Sequence, residues 1–261
     1  MMNKTQQAGL SLIELMIAMA ISSFLILGVT QIYIDNKRNY LFQQGQAENQ
    51  ENGRFTMQIL EQHLAKTGYR REPTDSMDTA FPALADASTG CSFAAGEVIK
   101  RVDAKTICIR FQPRDPAEVD CLGNGRSANA SAIINPYTTP AVSFVEKLSI
   151  DDNRQLICSS SASDTAQSGT LIDGIEDFRF DYGVSIVGSR VISSYKATPA
   201  TGESIRAVRY SALMNTSLEN ISQDAAFKTY KEWYGAEANT PTNGRAYQII
   251  KNTVMLRNQM P

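Results

Sequence analysis

Residues Leu10–Ile34 are LSLIELMIAMAISSFLILGVTQIYI, a stretch of 25 residues with one ionisable side chain, that of Glu14. In a helix, about 20 apolar residues at ~1.5 Å each cross the ~30 Å hydrocarbon core of a bilayer. The stretch is therefore predicted to be a membrane-spanning helix. A carboxylate near the bilayer interior costs roughly 2.5 to 3.5 kcal/mol, so Glu14 is expected to have a partner or a task.

Two simple interpretations leave part of this stretch unexplained. A cleaved secretory signal could end at the small residues Ala18-Met19-Ala20, but the more hydrophobic half, residues 21–29, would then remain on the mature chain. A plain membrane anchor explains the hydrophobicity and gives Glu14 no purpose. A third interpretation also uses the residues that precede the apolar stretch.

The leader MMNKTQQAG ends at Gly9, Leu10 follows it, and Glu14 is fifth when counting starts at Leu10. This pattern resembles the class III signal of type IV prepilins. The resemblance implies that a prepilin peptidase removes residues 1–9 by cutting after Gly9 and that Leu10 is N-methylated. Two features depart from the usual pattern. Leu10 stands where the family more often has phenylalanine, and Lys4 is the only cation of the leader, so the orientation depends on the cleavage motif.

The same resemblance implies a task for Glu14. A buried carboxylate is tolerated when a positive or hydrogen-bonding partner neutralises it. Cleavage creates an α-amine at Leu10, and in this family the glutamate of an incoming subunit pairs with the N-terminal amine of a neighbour already in the fibre. Glu14 is thus predicted to set the register of assembly.

The helix is predicted to continue well beyond the apolar stretch, because the first proline is Pro73. A helix ending at Thr67, with Gly68 as its C-cap, has roughly 58 residues and is ~87 Å long. Residues 10–34 are predicted to be its transmembrane half, which the prepilin resemblance also places in the fibre core, and residues 35–68 are predicted to be its amphipathic half.

In the second half, apolar residues are spaced four apart and are predicted to lie on a sheet. These pairs are Phe55 with Ile59 and Leu60 with Leu64. His63 is predicted to be a polar residue of this helix without chemistry.

Residues 69–261 are predicted to form a β-rich domain, because the apolar period changes to two. The resemblance to prepilins implies that this domain is periplasmic or extracellular. Phe178, Phe180, Tyr182 and Val184 give the clearest alternation. The predicted strands are residues 106–111, 142–150, 155–158, 178–184, 190–195, 205–214 and 246–256. Residues 71–96, 159–169 and 235–244 are predicted to be loops. The predicted fold class is α+β, with a long N-terminal helix packed on an antiparallel sheet, as in pilins.

The chain has four cysteines, an even number without a CxxC motif, and they are predicted to form two disulfides in an oxidising periplasm. Three connectivities are possible. We prefer Cys91 with Cys108 and Cys121 with Cys158, since the first pair closes a short loop beside a strand.

Composition disfavours most other functions. The 261 residues are 43% hydrophobic, which argues against a disordered chain, and 25 Lys and Arg against 27 Asp and Glu lack the basic excess of a nucleic-acid binder. The basic pairs Arg70-Arg71 and Lys100-Arg101 are interpreted as solvated surface charge.

With His63 as the single histidine, and without catalytic motifs, neither an enzyme nor a cofactor is predicted. The Asp151-Asp152-Asn153 segment is interpreted as a turn, because it lacks the spacing of a calcium loop.

Several further motifs resemble PilW-type minor pilins. They are DCLG at 120–123, LIC at 156–158, LIDGIEDFRFDYGV at 171–184, SIRAVRYSAL at 204–213 and VMLRN at 254–258. The resemblance covers most of the chain.

The PilW resemblance implies a minor pilin of the type IV pilus that joins an inner-membrane initiating complex, primes assembly and ends at or near the fibre tip. Its implied partners are other minor pilins, the major pilin, prepilin peptidase, the assembly platform, a tip adhesin and, before assembly, the lipid bilayer. Such fibres serve processes that include twitching motility. The main alternative is a minor pseudopilin of type II secretion. A membrane-tethered periplasmic enzyme and a DNA-capturing pilin are the remaining alternatives.

Overall fold

The computed structural model of the chain describes residues 11–125, 135, 137, 143–161, 167–186, 188–189, 191–221, 225–239 and 241–260. The predicted leader, residues 1–9, and Leu10 lie outside these described residues. So do the predicted strand residues Val142 and Arg190.

One continuous helix, α1 (Leu12–Lys66), opens the structure and is 55 residues long. Residues 12–40 of this helix are exposed, and the first buried position along it is Gly45. Thr67 caps the C-terminus, and the next residue, Gly68, has a left-handed φ of 71°, which suits a glycine just after a helix. The uninterrupted helix agrees with the absence of proline before residue 73.

Eleven strands follow within the described residues. They are β1 (Leu84–Asp86), β2 (Cys91–Phe93), β3 (Ile99–Arg101), β4 (Thr106–Phe111), β5 (Phe144–Ile150), β6 (Leu156–Ser160), β7 (Gln167–Ile172), β8 (Ile175–Ile186), β9 (Ser194–Lys196), β10 (Glu203–Asn215) and β11 (Tyr247–Met255). The remaining described helices are α2 (Met77–Ala80), α3 (Ala225–Tyr234) and a 3-10 turn (Arg257–Gln259).

All strand pairs are antiparallel, and the strands form three sheets. One sheet has five strands in the order β3-β4-β5-β6-β7, one has four in the order β11-β10-β8-β9, and β1 pairs with β2 alone. The helix α1 contacts β11, β10, β4 and β7, so it packs against both large sheets. The predicted α+β class is confirmed.

A single large core joins α1 to the two large sheets. Phe178, Phe180, Tyr182 and Val184 all lie in this core, as their alternation predicted. Leu60 and Leu64 supply the fully buried helix positions. The prediction for Phe55 was wrong, because this residue is 43% exposed.

Two stretches predicted as loops contain regular structure. Residues 71–96 include α2, β1 and β2, and residues 159–169 include the end of β6 and the start of β7. The predicted strand 190–195 is shorter and shifted, at Ser194–Lys196. The amphipathic helix α3 precedes the predicted loop 235–244 and packs Trp233 and Tyr230 against β10 and β11, at Leu213, Tyr247 and Ile249. These short elements are stabilised by tertiary contacts, so the polar composition of their sequences does not indicate them.

Candidate functional site

The apolar half of α1 is the first part of the candidate site. Within α1, an 18-residue window reaches a mean hydropathy of 2.3, and none of that window is buried against the domain. Among the described helices, α1 is the one long and apolar enough to cross a membrane. An exposed apolar surface of this size requires lipid or other protein around it.

Glu14 lies in the first turn of α1, within this apolar surface. Its carboxylate Oε2 accepts a hydrogen bond from the backbone N–H of Ser11 at 3.0 Å. Ser11 and Glu14 therefore form part of a capping box, in which a glutamate three residues after the N-cap satisfies a free amide at the helix start. The carboxylate thus lies at the end of the helix that carries the partial positive charge.

The second half of α1 docks on the sheets through small and polar residues. Its buried positions recur every three or four residues and are Gly45, Asn49, Gly53, Thr56, Leu60, His63 and Leu64. Across this contact the Asn49 Nδ2 donates to the carbonyl of Ala246 at 3.0 Å, and the Tyr210 hydroxyl donates to the carbonyl of Met57 at 3.0 Å. Burial raises the pKa of Tyr210 to about 12. The docking is therefore fixed by directional contacts as well as by apolar burial.

Glycine allows α1 to approach the domain closely at its first buried position. A Cβ atom at Gly45 would lie 2.5 Å from Cδ1 of Ile221 and 2.9 Å from Cγ2 of Thr216. A Cβ at Gly53 would lie 3.0 Å from Cγ2 of Ile250. By contrast, Gly28 in the apolar half has nothing within 4 Å of the same position.

His63 is buried, contrary to its prediction as a polar residue of the helix without chemistry. Its Nδ1 lies 2.8 Å from Oε2 of Glu146 on β5, whose side chain is fully buried. The second oxygen of Glu146 accepts the backbone N–H of Cys121 at 2.9 Å. The pair joins α1, the five-stranded sheet and the Cys121 loop. Local periodicity could not reveal it, because the two residues are 83 positions apart.

The four cysteines form two disulfides. Cys91 is bonded to Cys108 and Cys121 to Cys158, with Cα–Cα distances of 6.0 and 6.4 Å. This is the pairing preferred from the sequence. The first bond joins β2 to β4, and the second fixes the Cys121 loop to β6 beside the His63 and Glu146 pair.

Arg110 organises the irregular stretch between α1 and β3, a role that the sequence analysis missed. Its guanidinium is 1% exposed and donates to four carbonyl oxygens. Those acceptors are Glu97 at 2.5 Å, Pro82 at 2.6 Å, Ala94 at 2.9 Å and Phe81 at 3.1 Å. The rings of Phe81 and Phe93 lie 5.3 and 4.8 Å from its Cζ. Burial lowers the pKa of Arg110 to about 10, although the charge of Glu97 opposes the effect.

Two other charged motifs, Asp151-Asp152-Asn153 and Arg70-Arg71, have structural partners. Asp151 accepts the backbone N–H of Gln155 at 2.8 Å and closes the turn between β5 and β6. Arg71 is 8% exposed and donates to backbone carbonyls, including that of Asn135 at 2.8 Å, so it is not a solvated cation. Within the described part of the chain, no group of three His, Cys, Asp or Glu side chains could hold a metal ion.

Two family models match parts of this chain. Residues 4–30 match the prokaryotic N-terminal methylation motif, and residues 144–258 match the family of type IV pilus-assembly protein W, PilW. No significant match was found among curated proteins. Among solved structures, the type IV-like pilin TTHA1219 from Thermus thermophilus aligns with a TM-score of 0.48 and 11% identity, over 80% of this chain and 97% of that one.

A methylation motif followed by a helix that is half apolar and half docked on antiparallel sheets defines a type IV pilin-like protein. The PilW match covers β5 through the 3-10 turn, which includes Glu146, Tyr210 and most of both large sheets. Over residues 144–258 the chain is similar to type IV pilus-assembly protein W.

Proposed function

We propose that this protein is a minor pilin of the type IV pilus that joins an inner-membrane initiating complex, primes assembly and is carried at or near the fibre tip. In this proposal, residues 1–9 are removed and Leu10 is N-methylated. Residues 10–34 span the membrane and later enter the fibre core, residues 35–68 connect this segment to the domain, and residues 69–261 are periplasmic and then extracellular. The partners are other pilins, prepilin peptidase, the assembly platform and a tip protein.

The observation that carries the proposal is the position of Glu14. This residue is exposed on an apolar helix surface that no described residue of the domain buries, and the one described hydrogen-bond donor to its carboxylate is the amide of Ser11. Taken into lipid or into a helix bundle, this carboxylate gains from a full positive charge. The α-amine of a processed neighbouring pilin supplies that charge, and pairing with it selects one axial register.

The domain supports an assembly role in a second way. The contacts of Asn49, Tyr210 and His63 hold the second half of α1 in one orientation, and two disulfides brace the sheet beside it. A rigid link between the membrane helix and the domain lets the register set at Glu14 determine how neighbouring domains meet.

The test replaces Glu14 by alanine and measures the amount of this protein in sheared fibres and in membranes by immunoblotting. We expect normal membrane levels, because removal of a charge favours insertion, and a loss from fibres of at least about tenfold. Asp35→Asn is the matched control, since Asp35 is an exposed acid of the same helix whose carboxylate is bonded by Gln31. Glu14→Ala protein that enters fibres like the wild type would refute the pairing.

Processing is tested separately by Gly9→Leu, which should leave a precursor about 9 residues longer than the mature chain. Intact-mass measurement of the purified wild-type protein should show a methylated Leu10 as the first residue. A wild-type chain that starts at Met1 would exclude the proposed processing.

A further inference from the structure

A groove lies near the C-terminal end of α1, the end of this helix that is opposite its apolar half. It has a volume of about 560 Å³ and runs between the edge strand β3 and the connection from β9 to β10. Gln259 borders it beside Gly68, just after α1 ends. The last part of the chain tracks α1, since Asn258 donates to the carbonyls of Ala65 and Thr67 at 3.1 Å. These contacts place the groove near the C-terminal end of α1.

The strand β3 offers unused backbone groups on its outer side. Two hydrogen bonds show how β3 pairs with β4. The Arg110 N–H donates to the Val98 carbonyl at 2.9 Å, and the Val102 N–H donates to the Thr106 carbonyl at 3.0 Å. In an antiparallel pair the bonded positions alternate, so Val98, Lys100 and Val102 face β4. The N–H and C=O groups of Ile99 and Arg101 therefore point away from β4, along the side of β3 that borders the groove.

The acids that line the groove do not pair with its Arg101. The Glu97 carboxylate accepts the N–H of Ala94 at 2.8 Å, and the Glu203 carboxylate is held by Lys196 at 2.5 Å and by the N–H of Ala200. Arg101 has no ion pair among the described residues, and its buried Nε has no hydrogen-bond partner there. A guanidinium at a strand edge favours a carboxylate that arrives on an extended chain.

Apolar surface lies close to the groove. Ile186, which is 74% exposed, is the β8 partner of Glu203 in the groove wall, and the nearby Val191 is 73% exposed. Exposed apolar side chains beside an open strand edge are typical of a surface that another chain covers.

We propose that this groove binds an extended, acid-bearing segment of another pilin subunit, which adds a strand to β3 and places a carboxylate on Arg101. This inference rests on the proposed function, because it takes the partner from the same fibre. Main-chain bonding to the outer side of β3 supplies affinity, and the Arg101 charge selects the segment and its register.

The experiment is photocrosslinking in cells that assemble fibres, with p-benzoylphenylalanine at Val102, which is half exposed just after β3. The crosslinked product is identified by mass spectrometry of the joined peptides. We expect a crosslink to an acidic extended segment of a different pilin subunit. The same probe at Tyr234, which is 40% exposed on α3, is the position control and should not give this product.

Three variants of Arg101 and one control variant define the contact. Arg101→Glu should lower the crosslink yield by at least about tenfold, since like charges then meet in the groove. Lys251→Glu, the same charge change on the exposed side of β11, should leave the yield unchanged. Arg101→Pro removes an N–H that β4 does not use, so it should lower the yield more than Arg101→Gln, which keeps that N–H. Circular dichroism of each full-length variant in detergent confirms that the fold is retained.

Several outcomes would overturn the inference. The Val102 probe gives no crosslink, or it joins two copies of this chain. Alternatively, the crosslink yield is unchanged by Arg101→Glu, or Arg101→Pro and Arg101→Gln give equal yields. If Glu14→Ala abolishes entry into fibres while any of these holds, the groove proposal fails and the proposed function stands. If the wild-type protein never enters fibres, both fail together.

Discussion

The imidazole of His63, on the membrane-connected helix, lies 2.8 Å from the carboxylate of Glu146, on the middle strand of the five-stranded sheet. Both side chains are almost fully removed from solvent. Since Glu146 also accepts the amide of Cys121, one buried carboxylate holds together the helix, the sheet and a disulfide-bonded loop. The orientation of the domain on α1 therefore depends on a polar contact that hydrophobic patterning does not reveal.

Removal of either partner is expected to destabilise the protein strongly. His63→Leu should lower the free energy of unfolding by about 3 to 5 kcal/mol, because Glu146 is left buried without its partner. The double variant His63→Leu with Glu146→Leu should recover part of that loss. Urea unfolding of the full-length protein in detergent measures both, with Glu61→Gln on the exposed side of α1 as the control. A His63→Leu loss below about 1 kcal/mol would contradict the role of the pair.

Close packing at Gly45 gives a second prediction. Gly45→Leu should destabilise the docked helix by about 1 to 3 kcal/mol, because its side chain would overlap Ile221 and Thr216. Gly28→Leu is the matched control in the same helix, where the position is open. Proteolysis with trypsin would detect the effect as faster cleavage after Arg54. Equal protection of the two variants would show that the approach at Gly45 is not limiting.

Arg110 gives a third prediction, on the irregular stretch that it supports. Arg110→Met should cost at least about 3 kcal/mol, since four carbonyl groups lose a charged donor and bonds to charged donors contribute about 1.5 to 3 kcal/mol each. Hydrogen exchange should rise in residues 76–98 and stay unchanged in β10. Arg114→Met, at an exposed arginine nearby in the chain, is the control. Unchanged exchange in residues 76–98 would show that Arg110 does not organise them.

The fourth prediction concerns stability in acid. Burial raises the pKa of the Asp177 carboxyl, but the hydrogen bonds from Lys105 and Trp233 outweigh burial and lower this pKa overall. A lowered pKa in the folded state contributes stability above the unfolded value of about 3.9, and that stability is lost as the pH falls through the folded value. Asp177→Asn should therefore be less stable than the wild type at pH 7, with the difference shrinking below about pH 4.

Thermal unfolding of full-length protein between pH 3 and 7 would test the acid prediction. Asp152→Asn, at an exposed turn position, should follow the wild type throughout. A difference between Asp177→Asn and the wild type that stays constant with pH would mean that Asp177 acts through packing alone.

Much of the fold was predictable because its signals are local. The apolar stretch that begins at Leu10 and the absence of proline before Pro73 predict one long helix, and α1 runs from Leu12 to Lys66. The alternation from Phe178 to Val184 predicts β8 and its buried face, and all four residues lie in the core. Hydrophobic periodicity and helix-breaking residues involve neighbouring positions, so they can be identified directly in the sequence.

The sequence alone also determined the class of protein. Gly9 before an apolar helix and the acid Glu14 within that helix are local features, and the N-terminal methylation motif matches residues 4–30. Only the tertiary structure decided how the polar residues are used. It brought His63 to Glu146 and Arg110 to the carbonyls of four separate residues, and it left Arg101 at an open strand edge. The physical reason is that the partner of a buried charge lies on a distant segment of the chain, which comes close only when the protein folds. Hydrophobic periodicity along the sequence does not indicate such a contact.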